Sequence, residues 1–516
     1  MTTAPSRPVH AGGSSIWGLA ALSSLFLVFE LGAAAFGPYG YYIDEPYYLA
    51  CARRLAWGYV DLPPLSPFVL ALTTALLGHS TLAIRLPAAL AGAATAFVTG
   101  RMARFFGGGR YAQLIAAACL LVGPGYLILC GFFSMNAFEV LAWACAEYLL
   151  LLALAADTDT GRTRRFVLLG GLLGVAALNK HTSVLFAGAL GLGVVLSPAR
   201  SVLRSKGPWL AAGLMLLVLL PNLIWQINHD FISLRYYRGH GPKNVDTPVL
   251  LGVVNQALFV NPAAVAVCVL GLWFFLRAEA GVRYRALGLA FLILLGGLLA
   301  LHSSRPDRIA GAYPALFAAG AVVFENLTRA RARWLRPALA GLLSVGAAVL
   351  LPVALPVLPP PVAARYAQAL GVVPRIEREA ASLPEWLAER LGWPELVATV
   401  ADTTRDLSPE EKRHAVVLAA TYDIAAAVEL LGKGLPPVVS PHAGYSLWAR
   451  EELEHEPSDV VVAVGIPEAV LARHFRSLRR AGERRCEICL TDSHDLVVFI
   501  ARDPVTPLRD WIGSIE

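Results

Sequence analysis

Residues 40–68 read GYYIDEPYYLACARRLAWGYVDLPPLSPF. The stretch is too polar to cross a bilayer and too apolar to lie in open solvent. Tyr41, Tyr42, Tyr47, Tyr48, Trp57 and Tyr59 supply the amphipathic aromatics that settle at a membrane–water boundary. Residues 45–57 are expected to form an amphipathic helix on that surface. Two adjacent carboxylates, Asp44 and Glu45, stand at its start. Successive helical positions diverge by about 100°, so at most one of them faces a given site. A carboxylate beside a membrane cavity is costly to desolvate and easily perturbed, which suits a general base. A purely structural role is also open, with Asp44 as a helix N-cap and Glu45 and Pro46 in the first turn.

On either side of this loop the chain is strongly apolar. Ile16 to Phe36 contains a single charge, Glu30, and lacks a convincing cleavage site, so it reads as a first transmembrane helix and not a removable signal. Further runs lie near 82–100, 111–133, 137–156, 166–178, 182–196, 209–227, 249–276, 286–301, 309–324 and 338–358. About eleven spans are therefore expected. The composition agrees: of 516 residues, 56% are hydrophobic and 16% charged, against about 25% charged in soluble domains. A disordered chain, a disulfide scaffold, a collagen-like fibre and an ordinary cytosolic enzyme are excluded.

Loop charge orients the spans. Arg162, Arg164 and Arg165 precede the short pair 166–178 and 182–196, and Arg200, Arg204 and Lys206 follow it. Two short helices keep both clusters on one side, as the positive-inside rule requires. Alternate loops then hold sixteen basic residues against eight in the others. The N-terminus is thus expected in the cytoplasm, and the loops bearing Asp44, Asn136, Lys180 and Arg305 face outward together.

Beyond Pro352, Pro356 and Pro359 to Pro361 the composition changes. HAVVLAATY (414–422), SDVVVAVG (458–465) and DLVVFIAR (495–502) read as buried strands, with helical patterns at 423–432 and 467–482. Residues 362–516 should be a small α/β domain outside the cytoplasm. Residues 1–361 form the membrane domain, with 37–81 as its first outer loop. Cys486 and Cys489 form a lone C-x-x-C with no second pair to complete a metal site.

The first-loop stretch, continued by LAIRLPAAL (82–90), resembles the corresponding loop of the membrane glycosyltransferases with a GT-C fold. The likeness is to the group that includes protein O-mannosyltransferases, lipid A aminoarabinose transferases and rhizobial core glycosyltransferases. It continues in GFFSMNAFEVLAWACAEYLLL (131–151), LNKHTSVLF (178–186), LPNLIWQINHDFISL (220–234), GPKNV (241–245) and AYPALFAAGAV (312–322), and LPEWLAERLGWPELVATVA (383–401) is similar to a bacterial subgroup. The resemblance implies transfer of one sugar from a polyprenyl-phosphate carrier to a glycan, lipid or protein acceptor, on the outer face of the cytoplasmic membrane. It places the proposed catalytic base of the family on Asp44, with inversion at the anomeric carbon and Glu45 as the alternative base.

A departing phosphate needs positive charge. Lys180, His181, Arg85, Arg305, Arg308 and Lys243 are the candidates. Against these roles stand a snorkelling Lys180 and an Arg85 that pairs with a loop carboxylate. Relatives often carry a Lys where HSSRPDRIAGAYP (302–314) stands here. They also often carry an Asp where Asn136 stands in SMNAFE (134–139). Asn136 can bind a sugar hydroxyl but cannot act as a base. Glu139 shares its helix face, or pairs with a buried cation. Asp61 matches a family Asp, although Leu62 replaces the usual His; it binds acceptor or fixes the turn into Pro63 and Pro64. Tyr42 and Tyr236 are the aromatic candidates for contacting sugar. No motif calls for a divalent metal or another cofactor, and no basic stripe suits nucleic acid. A lipid transporter or flippase is the alternative class, but no duplicated halves are visible.

Overall fold

A helix in lipid must satisfy its own backbone and stay apolar for about 20 residues. In the computed structural model, which describes residues 15–239, 246–372, 375–376, 379–380, 383–455, 459–486, 488–489 and 495–514, six helices do so. They are Ile16–Phe36, Thr81–Phe105, Met135–Leu154, Gly207–Asn228, Glu279–Ala300 and Leu335–Ala354. Four pairs bent at short breaks qualify jointly: Arg110–Leu121 with Pro124–Cys130, Thr182–Val195 with Pro198–Arg204, Val249–Val260 with Ala264–Arg277, and Pro306–Ala312 with Pro314–Leu327. That gives six to ten crossings by length and composition among the described residues, against the eleven expected. The remaining expected span is the helix Asp159–Asn179, whose first turns hold Asp159, Arg162, Arg164 and Arg165. The protein is a polytopic helical membrane protein.

Each bent pair has a proline at or beside its break (Pro124, Pro198, Pro262 and Pro314), where a helical hydrogen bond is lost. One break is repaired by a side chain: Asn261, at φ 78°, donates from Nδ2 to the carbonyls of Val122 (3.2 Å) and Leu343 (3.3 Å). Helices also approach closely where side chains are small. A Cβ at Gly320 would lie 1.8 Å from the Val267 carbonyl, and one at Gly271 would lie 2.1 Å from that of Leu316, so Ala264–Arg277 and Pro314–Leu327 meet backbone to backbone.

The chain divides into two units. The helical unit comprises the described parts of Met1–Gly37, His79–Ile227 and Gly241–Pro356. The second comprises those of Pro38–Gly78, Asn228–His240 and Val357–Glu516, so most of the loop 37–81 groups with the C-terminal region. Its centre is a five-stranded sheet in the order Val438–Val439, Ala415–Ala419, Val460–Val464, Asp495–Pro504, Phe475–Arg485. The first three are parallel and the last two are added antiparallel. Ala415–Ala419 and Val460–Val464 are buried along their whole length, which explains their unbroken apolar sequence.

Residues 467–482 were expected as one helix, but the helix is Glu468–His474 and the chain then extends as the edge strand Phe475–Arg485. A register shift between Arg480 and Gly482 breaks its alternation, so the apolar spacing of Phe475, Leu478 and Ala481 imitates a helical period. Cys486 and Cys489 are joined in a disulfide.

Candidate active site

In the second unit the first-loop helix is Asp44–Arg53, with Glu45 to Cys51 buried. Asp44 is its first residue and does not act as the cap. The two carboxylates diverge as a helix requires. Glu45 is wholly buried, and its Oε2 accepts the Tyr42 backbone N–H at 2.8 Å, so it closes the turn that starts the helix. Asp44 is half-buried, and its Oδ1 accepts the Tyr422 hydroxyl at 2.6 Å.

Tyr422 owes its position to the sheet. The strand Ala415–Ala419 ends just before it, and Tyr422 opens the helix Tyr422–Leu431, which packs on Asp44–Arg53. The neighbouring parallel strand Val438–Val439 leads into Ser440, His442 and Gly444. Side chains and amides thus emerge from the carboxyl ends of adjacent parallel strands, where open α/β sheets generally place their sites. The His442 ring lies 5.2 Å from that of Tyr422, and its Nε2 is 3.1 Å from the Tyr236 hydroxyl.

Asp61 is held by the same edge. Its Oδ1 accepts the Tyr47 hydroxyl at 2.5 Å, and the Tyr47 oxygen in turn accepts the Gly444 N–H at 2.9 Å. The Tyr237 hydroxyl donates to the Asp61 carbonyl, and Ser233 Oγ donates to that of Tyr59 at 3.0 Å. Burial pushes the Asp61 carboxyl up to about 7, against an opposing hydrogen bond from Tyr47. Burial also raises the Tyr47 and Tyr422 hydroxyls well above their ordinary range, and the neighbouring carboxylates add to this. Both therefore stay protonated donors at neutral pH. Tyr42 lies beneath the Arg390 guanidinium, 5.7 Å from its ring centre. The far end of the helix is fixed by Arg54, which pairs with Glu429 at 2.9 Å and covers the Trp448 ring at 4.6 Å.

The helical unit gathers its own polar group. Lys180 lies at the break between Asp159–Asn179 and Thr182–Val195. Its ammonium donates to Asn136 Oδ1 at 2.8 Å and Glu139 Oε2 at 2.7 Å, while Thr182 donates to the other Glu139 oxygen. The pair is nearly dry, with side-chain exposures of 14% and 4%. Trp143 stacks on Phe186 at 4.1 Å and donates to Ser183 at 3.0 Å, which fixes the break against Met135–Leu154. His181 faces Asn222 at 3.2 Å. Arg85 is buried within Thr81–Phe105. Arg305 is held by Asp307 at 2.9 Å, beside Arg308 in the turn Pro306–Ala312. Lys243 lies outside the described residues.

Sequence reading thus singled out Asp44, Glu45 and Asp61 in one unit and Asn136, Glu139 and Lys180 in the other, and each trio is local to its unit. It missed Tyr422, His442, Gly444 and the role of Tyr47. The available signal was positional: Tyr422 and His442 directly follow short apolar strands. Among the described residues, no group of three or more His, Cys, Asp or Glu side chains is arranged to hold a metal ion.

These elements build the fold of the GT-C membrane glycosyltransferases. The structure is similar to ArnT from Cupriavidus metallidurans in the apo state, with a TM-score of 0.62 and 17% identity over 94% of this chain and 98% of that one. It is similar to the same protein bound to undecaprenyl phosphate, with a TM-score of 0.61, 17% identity and the same coverage. The Archaeoglobus fulgidus oligosaccharyltransferase tethered with an acceptor peptide gives a TM-score of 0.53 at 12% identity, over 88% of this chain and 69% of that one. Residues 61–225 match the family of dolichyl-phosphate-mannose-protein mannosyltransferases. A 197-residue stretch is 26% identical to the lipid A galacturonosyltransferase RgtD of Rhizobium johnstonii, covering 38% of this chain and 40% of that relative.

Proposed function

We propose that the protein transfers a single sugar from a polyprenyl-phosphate carrier to a hydroxyl acceptor at the outer face of the cytoplasmic membrane. Asp44 takes the acceptor proton as the acceptor oxygen forms its bond to the anomeric carbon. The bond from that carbon to the phosphate oxygen breaks, and the phosphate leaves with the electron pair. One displacement inverts the centre. A hydroxyl is a weak nucleophile until its proton is removed, and a positioned carboxylate is worth about 10²–10⁴-fold. The observation that carries the reading is the half-buried Asp44 carboxylate, oriented by a hydroxyl 2.6 Å away while Glu45 is committed to backbone capping.

Lys180 is the proposed phosphate-binding cation. An ammonium has three donors, and Asn136 and Glu139 take two. His181, Arg85, Arg305 and Arg308 are assigned to donor binding, and Asp61, Asn136, Glu139, Tyr42 and Tyr236 to sugar and acceptor. On this reading Asp159–Asn179 is an eleventh crossing, loop charge keeps the N-terminus in the cytoplasm, and the odd count then leaves residues 362–516 outside. The Cys486–Cys489 disulfide supports that placement, because disulfides persist in oxidising compartments.

The test is transfer by the reconstituted protein from a synthetic polyprenyl-phosphate sugar, with the product anomer read by NMR. Transfer with inversion is expected. A retained anomer, or activity with a nucleotide sugar alone, contradicts the reading.

A further inference from the structure

We infer that the C-terminal α/β region is part of the catalytic apparatus, with Tyr422 the positioning residue that orients and tunes Asp44. This rests on Asp44 being the base proposed above. The hydroxyl of Tyr422 reaches Asp44 from 378 positions away in the chain, at 2.6 Å, so the bond belongs to the folded unit and not to the loop. Its aim is fixed by three things. The strand Ala415–Ala419 sets where the helix begins. The Tyr47 ring packs against the Tyr422 ring at 4.7 Å. The His442 ring sits on another side, bonded to Tyr236.

A hydroxyl donated to a carboxylate does two things. It selects one rotamer, so that the carboxylate keeps a constant direction, and it favours the ionised form. Tyr42, Asp61, Tyr236 and Tyr422 interact electrostatically with Asp44, Asp423 acts in turn on Tyr236 and Tyr422, and Glu45 adjoins Asp44 in the chain. Of these, Tyr422 donates to the Asp44 carboxylate. The acceptor proton therefore goes to a carboxylate whose geometry is set by the sheet.

The experiment compares Tyr422→Phe, Tyr445→Phe and Asp44→Asn in the full-length protein. Tyr445 also donates a buried hydroxyl in this unit, but to Glu429 at 2.5 Å and not to Asp44. Tyr422→Phe is expected to lower kcat roughly ten- to a hundredfold with the donor KM unchanged. It should also move the acid limb of the kcat profile to higher pH, because the ionised carboxylate has lost a donor. Tyr445→Phe should leave kcat and the limb in place. Wild-type kcat and limb in Tyr422→Phe, with Asp44→Asn inactive, overturn the inference and leave the base assignment standing. The same loss in Tyr445→Phe also overturns it, by showing a general effect on folding. An active Asp44→Asn overturns the base assignment itself.

Discussion

Charged side chains stand out against an apolar background, which is why Asp44, Asp61, Glu139 and Lys180 were legible. A charge kept near a membrane needs a reason. Their partners were not legible, because Tyr422 and His442 sit in a mixed sequence where neither residue type is unusual. The sequence leaves Glu139 either on the substrate face or paired with a buried cation, and in the fold it pairs with Lys180. Removing one half of so dry a pair leaves an uncompensated charge. Lys180→Met is expected to cost about 3–5 kcal/mol of stability, and Lys180→Met with Glu139→Gln should recover most of it, as read by thermal unfolding in detergent. Asp61 gives a pH prediction. Its folded-state value of about 7 lies above the ordinary 3.8, so the fold favours the protonated form. Its contribution is complete below about pH 4 and is lost as pH rises to about 7. The melting temperature of wild type should fall relative to Asp61→Asn across that window, with a constant gap above it.

Helices and strands were legible wherever one period ran uninterrupted. The apolar runs fell on helices because nothing but a helix spans lipid without a sheet partner. The breaks within the runs 111–133, 249–276 and 309–324 were not anticipated, although each has a proline at or beside it. The edge strand Phe475–Arg485 was misread because its bulge removes the two-residue alternation. The close approach of Ala264–Arg277 to Pro314–Leu327 yields a prediction of its own. A side chain at Gly320 must displace the Val267 carbonyl. Gly320→Val should therefore destabilise the helical unit by about 1–3 kcal/mol or more, whereas Gly341→Val, in open space, should cost less than half of that. Equal melting temperatures for the two variants would contradict the packing described.

Across the chain, composition and the apolar runs pointed to a polytopic protein, and the fold agrees. The membership of the two units was not legible, since the described parts of 38–78, 228–240 and 357–516 come together only through long-range contacts. Orientation makes a separable prediction. In intact cells, a cysteine at Glu451 should react with an impermeant maleimide, and one at Arg331 should react only after permeabilisation; the reverse pattern would contradict the proposed topology. The chemistry is decided by one rate. Purified wild type and Asp44→Asn, given the same synthetic polyprenyl-phosphate sugar and acceptor, should differ in kcat by about 10²–10⁴-fold with matched melting temperatures. Equal rates would show that Asp44 does not take the acceptor proton.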